Sequence, residues 1–218
     1  MKIGIIGAGF VGRAVAKLAI KAGHSVMLSN SRTPQTLFSL IPMIGCEIGT
    51  ARQAAAYGDI VVIAVPLMAI DQLPVDALYG KQVIDVVNYY HERDGQIEAL
   101  ESKQTTTSEM VARLLANSRV TKAFNAIPMT QLESDGLPAG SPQRRALPIA
   151  GDDTLGKKIA SELYDAFGFD CVDAGGLEQG WRFERGMPAY CVPMTKDELI
   201  LSLESAVRHP SSVSGAHR

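Results

Sequence analysis

The sequence predicts an α/β fold organised around a doubly wound parallel sheet, and three observations lead to it. A short apolar strand at residues 3–6 runs directly into a glycine turn and a helix. Apolar, largely β-branched runs recur near residues 26–28, 46–48, 59–65, 82–88 and 120–124, separated by stretches with helical spacing or helix-capping residues. From residue 147 a shorter strand–helix–strand unit follows. Strands alternating with helices in this way lie side by side in parallel, with helices on both faces and all their carboxyl ends at one ligand-binding edge.

The first unit carries the most information. Gly7-Ala8-Gly9-Phe10-Val11-Gly12 follows the opening strand, and Val11, Val15, Leu18, Ala19 and Ala22 give residues 11–22 one apolar face at helical spacing. Gly7 permits the tight turn, Gly9 lets the backbone approach a pyrophosphate, and Gly12 lets the helix pack on the strand. The helix start then offers free N–H groups and a positive dipole end to the anion. Strand, turn and helix in this order predict a dinucleotide turn of the Rossmann kind, with Gly7, Ala8, Gly9, Phe10, Val11 and Gly12 at the cofactor.

Gly23 ends that helix, and residues 26–28 form the second strand. Asn30 lies eighteen residues beyond Gly12, about where an NAD enzyme places an acid on the ribose hydroxyls. Here the chain reads Ser29, Asn30, Ser31, Arg32 and Thr33. Neutral hydrogen-bonding groups and one guanidinium suit the 2′-phosphate of NADP, which a carboxylate would repel, so Asn30, Ser31 and Arg32 are predicted to hold it, the alternative being a polar turn before a Pro-started helix with Arg32 solvated. No acidic residue precedes Glu47, while Lys2, Arg13, Lys17, Lys21 and Arg32 do, giving this lobe a positive field.

A helix is expected around residues 35–40, then a strand at 46–48 and a helix capped by Thr50 that reaches Tyr57. The run at 59–65 has the composition of a strand buried on both faces. Val65 and Pro66 leave it at the carboxyl edge, either flanking the cofactor or simply fixing a rigid strand exit. Asn88 leaves the 82–88 strand at the same edge, placed to orient a nicotinamide ribose or brace a loop. Tyr89, Tyr90 and His91 follow, as packing and rim groups or, for His91, as an acid/base residue. Ser108 is expected to cap a helix over 109–117, and the sixth strand ends in Asn125-Ala126-Ile127-Pro128-Met129.

Composition excludes several classes. Hydrophobic residues at 46%, charged residues at 20% and a net charge of -2 without any basic run leave no nucleic acid or anionic membrane as partner. No apolar run approaches the roughly 20 residues that span a bilayer, and no signal-like segment is seen, so a cytoplasmic protein is expected. Cys46, Cys171 and Cys191 have neither paired nor metal-like spacing, which predicts reduced core thiols and no metal site.

In the last third, residues 147–150 read as a strand, Asp152 or Thr154 caps a helix over 155–167, Gly168 closes it, and 169–173 is another strand. Residues 175–190 are rich in glycine and aromatics and include the single tryptophan, Trp181. Such rings cover a flat acceptor, or pack on the parent domain or on a second subunit, the last giving a homodimer. A helix over 196–207 ends the ordered part. The expected organisation is an NADP-binding domain at 1–130, a small α/β region at 131–207 covering the acceptor site, and a flexible tail at 208–218.

Behind the glycine turn, the block VTKAFNAIPM at 120–129, then Pro148-Ile149-Ala150-Gly151-Asp152-Asp153 and Val172-Asp173-Ala174-Gly175-Gly176-Leu177, follow in order. With them, nearly the whole chain to about Ala206 resembles the F420-dependent NADP oxidoreductases. It is also similar to the cytosolic reductase domain of the six-transmembrane ferric reductases. The resemblance implies hydride transfer between NADP(H) and the deazaflavin F420, or to a flavin such as FMN or FAD, with that small-molecule acceptor as the partner. It places Asn125, Ala126 and Ile127 beside the nicotinamide. The archaeal deazaflavin enzymes have a His near the position of Asn125, where this chain and the ferric-reductase relatives have Asn.

Hydride transfer to a flavin-type ring needs closeness, stacking and exclusion of water more than a side-chain acid, so no catalytic side chain is predicted. Two other functions compete. A β-hydroxyacid dehydrogenase or pyrroline-carboxylate reductase relative needs a long all-helical second domain, against which the mixed pattern after residue 147 counts. A non-catalytic NADP-binding sensor fits the glycine turn equally well.

Overall fold

The computed structural model describes residues 1–208. Its strands are β1 (Lys2–Ile6), β2 (Ser25–Ser29), β3 (Glu47–Gly49), β4 (Ile60–Ile63), β5 (Gln82–Asp85), β6 (Arg119–Lys122), β7 (Ala146–Gly151) and β8 (Asp170–Asp173). They form one sheet in the order β3-β2-β1-β4-β5-β6-β7-β8. Neighbours from β3 to β6 pair in parallel, β7 runs antiparallel to β6, and β8 returns parallel to β7. The fold is thus the expected doubly wound α/β sheet, and the C-terminal strands extend that sheet.

Register decides where the site falls. Ser29 pairs with Ile6, Ile6 with Ile63, Ile63 with Asp85 and Asp85 with Lys122, so five parallel strands end level with one another. Everything that leaves this row enters one edge, next to the crossover between β1 and β4 where the strand order reverses.

The helices are α1 (Phe10–Lys21), α2 (Leu40–Ile44), α3 (Ala51–Tyr57), α4 (His91–Asp94), α5 (Glu98–Glu101), α6 (Thr107–Leu114), α7 (Met129–Ser134), α8 (Thr154–Phe167) and α9 (Lys196–Ser205). Side chains alternate across the pleat, so each strand feeds two cores. Ile3, Ile5, Ile60, Val62 and Ile84 pack with α1, α2, α7 and α8, whereas Ile6, Val61, Ile63 and Val83 pack with α3 and α6. That double burial explains the unbroken apolar runs. A third cluster joins Ala146, Ala150, Val172 and Phe183 to Leu199 and Leu203 of α9.

Several local expectations shift. The helix expected at 35–40 divides into a 3₁₀ turn at Pro34–Leu37 and α2, which Gly45 ends in a left-handed conformation. Thr106, not Ser108, caps α6: its hydroxyl takes the Glu109 N–H while the Glu109 carboxylate takes the Thr106 N–H, a reciprocal box. Asp153, rather than Asp152 or Thr154, caps α8 by accepting from Gly156 N at 2.8 Å. Asp152 is engaged elsewhere, taking the Leu177 N–H. The 59–65 and 82–88 strands stop at Ile63 and Asp85, and α9 stops at Ser205.

Of the tail expected at 208–218, only Arg208 lies among the described residues; its guanidinium donates to Thr105 O at 2.9 Å. Among those residues no helix is long and apolar enough to cross a membrane, and no cluster of His, Cys, Asp and Glu could hold a metal ion.

Candidate functional site

The glycine turn leaves β1 at the carboxyl edge. Gly7 adopts φ +116°, where a side chain would also meet Ala64 O at 2.2 Å. A Cβ at Gly12 would fall 1.9 Å from Gly7 O, so only glycine lets α1 seat against the turn. Gly9 is different: a Cβ there meets nothing within 4 Å, because it faces open space. Gly9 is also the N-cap of α1, without a side-chain cap, and α1 carries no acidic residue in its first turn. Helix N–H groups and dipole are therefore left for an anion.

That space is a cleft of about 470 Å³. Gly7, Ala8, Gly9, Asn30, Ser31, Arg32, Val65 and Pro66 line it together with Arg13, Met68 and Gln72, and its lining contains no carboxylate. Phe10, Val11 and Gly12 lie outside the lining; Phe10 is exposed at the start of α1, and Gly12 is buried against the turn. The Asn30 amide is spent inside its own loop, accepting from Arg32 N at 3.0 Å and donating to Thr36 Oγ1 at 2.8 Å. It holds the loop so that Ser31 and Arg32 face the cleft. In the sequence Arg13 reads only as part of a positive field. Its Nε donates to Ala8 O at 2.7 Å, which folds the guanidinium over the turn. The signal was its position one helical turn after Gly9, on the face toward the glycine turn.

Asn88, Asn125, Ala126 and Ile127 are not in that lining; they form a second cluster where β5 and β6 end. Asn88 Nδ2 donates to Asn125 O at 2.9 Å, and Asn125 Nδ2 donates to Phe183 O at 3.0 Å and Asn88 Oδ1 at 3.2 Å. Asn125 is 3% exposed, and its Oδ1 is buried without a hydrogen-bond partner. Just before it, Phe124 holds φ +60°, a left-handed conformation that a bulky residue adopts only under constraint. The constraint is Tyr164, whose hydroxyl takes the Phe124 N–H at 2.7 Å and whose ring meets the Phe124 ring edge-on at 4.5 Å.

The C-terminal segment closes over this cluster. Phe183 ends a 3₁₀ turn, Leu177–Phe183, and Tyr190 Oη lies 2.5 Å from Tyr90 Oη. Arg185 bridges to Glu92, and that guanidinium holds the Glu92 carboxyl down at about 2. Trp181 carries the guanidinium of Arg182 at 4.8 Å and that of Arg208 at 5.7 Å from its ring centre. His91 is exposed at the start of α4. Burial pushes the Cys46 and Cys191 thiols up and that of Cys171 to about 11, so all three are protonated at neutral pH.

Residues 2–89 match the protein family described as NADP oxidoreductase coenzyme F420-dependent. Over 207 residues the chain is 29% identical to the metalloreductase STEAP3 of Rattus norvegicus, an alignment covering 93% of this chain and 39% of the relative. The chain thus spans well under half the length of that curated relative. Among solved structures, the protein SMa0349 of Sinorhizobium meliloti superposes with a TM-score of 0.75 at 27% identity, over 90% of this chain and 96% of that one. A structure from Arthrobacter sp. FB24, described as that of an F420-dependent NADP-reductase, superposes with a TM-score of 0.68 at 23% identity, over 81% and 85%, a likeness of fold. Residues 2–89 thus resemble the F420-dependent NADP oxidoreductases, and over most of its length the chain is similar to an NADP-type oxidoreductase, the metalloreductase.

Proposed function

We propose that this protein transfers hydride between NADP(H) and a deazaflavin such as F420, or a flavin-type ring. The observation that carries the cofactor half is the cleft lining: two guanidinium groups, the Ser31 hydroxyl and no carboxylate, around a glycine turn that opens a helix. The residues fit the cofactor at both ends. The open face of Gly9 gives room for a pyrophosphate beside the α1 N–H groups. Among the described residues the Ser31 and Arg32 side chains have no partner, which leaves them for a 2′-phosphate. The buried Oδ1 of Asn125 lacks a donor, and a carboxamide NH₂ would supply one.

NADPH, when bound, supplies the hydride. The chain's own part is to bind, orient and keep water out. Arg13, Ser31 and Arg32 grip the phosphates. Val65 and Pro66, at the rigid exit of β4, limit the cofactor's path along the edge. Asn125, fixed by Asn88 and Phe183, presents a rigid, dry surface where a reacting ring pair needs to be held.

The acceptor half rests on the family resemblance. It is tested by following NADPH absorbance with purified protein and a panel of F420, FMN, FAD, quinones and ferric chelates. Turnover with F420 or a flavin, faster with NADPH than NADH, is the expected result. Tight NADPH binding without turnover on any acceptor would replace this reading with a nucleotide sensor.

A further inference from the structure

Lys122 is the last residue of β6, and its β5 partner is Asp85; neither has any exposed surface. Lys122 Nζ donates to Val87 O at 3.0 Å and Thr107 Oγ1 at 2.9 Å, and lies 3.7 Å from Asp85 Oδ2 and 3.8 Å from Glu184 Oε1. The network continues outward: Thr107 donates through both N and Oγ1 to Glu184, Ser108 Oγ donates to Asp85, and Asp85 takes the Val87 N–H. One ammonium thus faces two carboxylates, and the N-terminus of α6 adds positive potential beside it. Gly180 leaves room for the arrangement, since a Cβ there would stand 3.0 Å from Lys122 Cδ.

Burying a charge for stability alone is poor economy, because an apolar side chain of similar size fills the same space without the desolvation cost. What the charge adds is direction. Val87 immediately precedes Asn88, and Glu184 immediately follows Phe183, whose carbonyl holds Asn125. Lys122 therefore grips both supports of the Asn88–Asn125 pair, one in the loop just past β5 and one in the C-terminal segment.

Resting on the placement of the nicotinamide against Asn125, we propose that Lys122 is a positioning residue for the nicotinamide end of the site, acting through Val87 and Glu184 and touching neither cofactor nor acceptor. The fused charge network makes the C-terminal segment a working wall of the cofactor site, coupled to the ends of β5 and β6.

The test separates the two ends of the cofactor. Calorimetry compares NADP⁺ with 2′-phospho-ADP-ribose, which lacks the nicotinamide, in wild type, Lys122→Met and Glu184→Gln. Lys122→Met is expected to weaken NADP⁺ about 10-fold while the fragment stays within about twofold, and to lower turnover by about 10²-fold, as a misplaced reacting ring would. Glu184→Gln, partly exposed and close in shape, is expected to show the same selective loss at about threefold. It carries the test if the methionine variant does not fold. Equal weakening of both ligands, or an unchanged NADP⁺ affinity, overturns the proposal. Equal affinity of the wild type for both ligands would instead overturn the nicotinamide placement, and the proposal with it. Absence of turnover on every acceptor would sink only the hydride-transfer reading, since the binding comparison still decides the role of Lys122.

Discussion

Two ends of one sheet edge are built on opposite plans. At the glycine-turn cleft the polar side chains are few and include two guanidinium groups and no carboxylate, and the shape is made by backbone: Gly7 turning, Gly12 seating α1, Gly9 facing open space. At the Asn125 end every amide but one oxygen is committed, the surroundings are buried, and the shape is made by side chains from β5, β6, α6, α8 and the segment after residue 176. The difference follows from the tasks proposed for them. A phosphate is bound by any well-aimed set of N–H groups and cations, so tolerance is wide. A hydride donor ring has to be held to a fraction of an ångström, and that takes a shell that cannot move.

The comparison breaks most severely at Gly12. Gly12→Ala puts a methyl 1.9 Å from the Gly7 carbonyl, with backbone rather than a flexible side chain in the way, so α1 has to move off the turn. Loss of NADP(H) binding by about 100-fold or more, measured by calorimetry, is expected together with a lower melting temperature. Retained affinity would mean that the turn is not the phosphate site. A milder and more specific break is Arg32→Asp. Exchanging a guanidinium for a carboxylate removes a charge-assisted contact and adds repulsion, which shifts the NADPH-to-NADH preference by about 10- to 100-fold toward NADH. The ratio of kcat/KM for the two cofactors reports it, and equal KM values for both in the wild type would refute the 2′-phosphate assignment.

The same contrast explains what the sequence disclosed. The glycine-turn end is legible because its determinants are local: a glycine spacing, a strand before it, a helix after it, and a missing acid at the end of β2. Arg13 reads in the sequence only as one charge of a positive field, because its contact with Ala8 O depends on side-chain direction from α1. The Asn125 end is built from contacts 58 residues apart for Asn125 with Phe183 and 40 apart for Phe124 with Tyr164, and no window of sequence contains such pairs. Lys122 stands in plain view within VTKAFNAIPM, yet a lysine at a strand end reads as a solvated tip until its burial is known. Ser108 and Asp152 were expected as helix caps for a related reason. Both are good capping residues by type, but each is claimed by a distant partner, Asp85 and Leu177, which leaves the caps to Thr106 and Asp153.

The smallest expected effect probes the joint between these two plans. Tyr164 is fully buried on α8, and its hydroxyl accepts from Phe124 N at 2.7 Å while donating to Pro148 O at 3.1 Å. Burial raises its pKa well above the usual tyrosine value, so at neutral pH the phenol keeps the proton it donates to Pro148 O. Tyr164→Phe keeps the ring, and with it the edge-on packing against Phe124, while leaving a buried N–H and a buried carbonyl without that partner. About 1–3 kcal/mol of stability is lost, seen as a melting temperature lower by about 2–4 °C for each kcal/mol in a chain of this size. The left-handed turn at Phe124, worth about 1–3 kcal/mol of strain, then relaxes more readily and Asn125 with it. Turnover should therefore fall several-fold while affinity for 2′-phospho-ADP-ribose, gripped at the other end of the edge, stays at the wild-type value. A variant that loses stability but keeps full turnover would separate the Phe124 turn from the chemistry and leave Asn125 positioned by Asn88 and Phe183 alone.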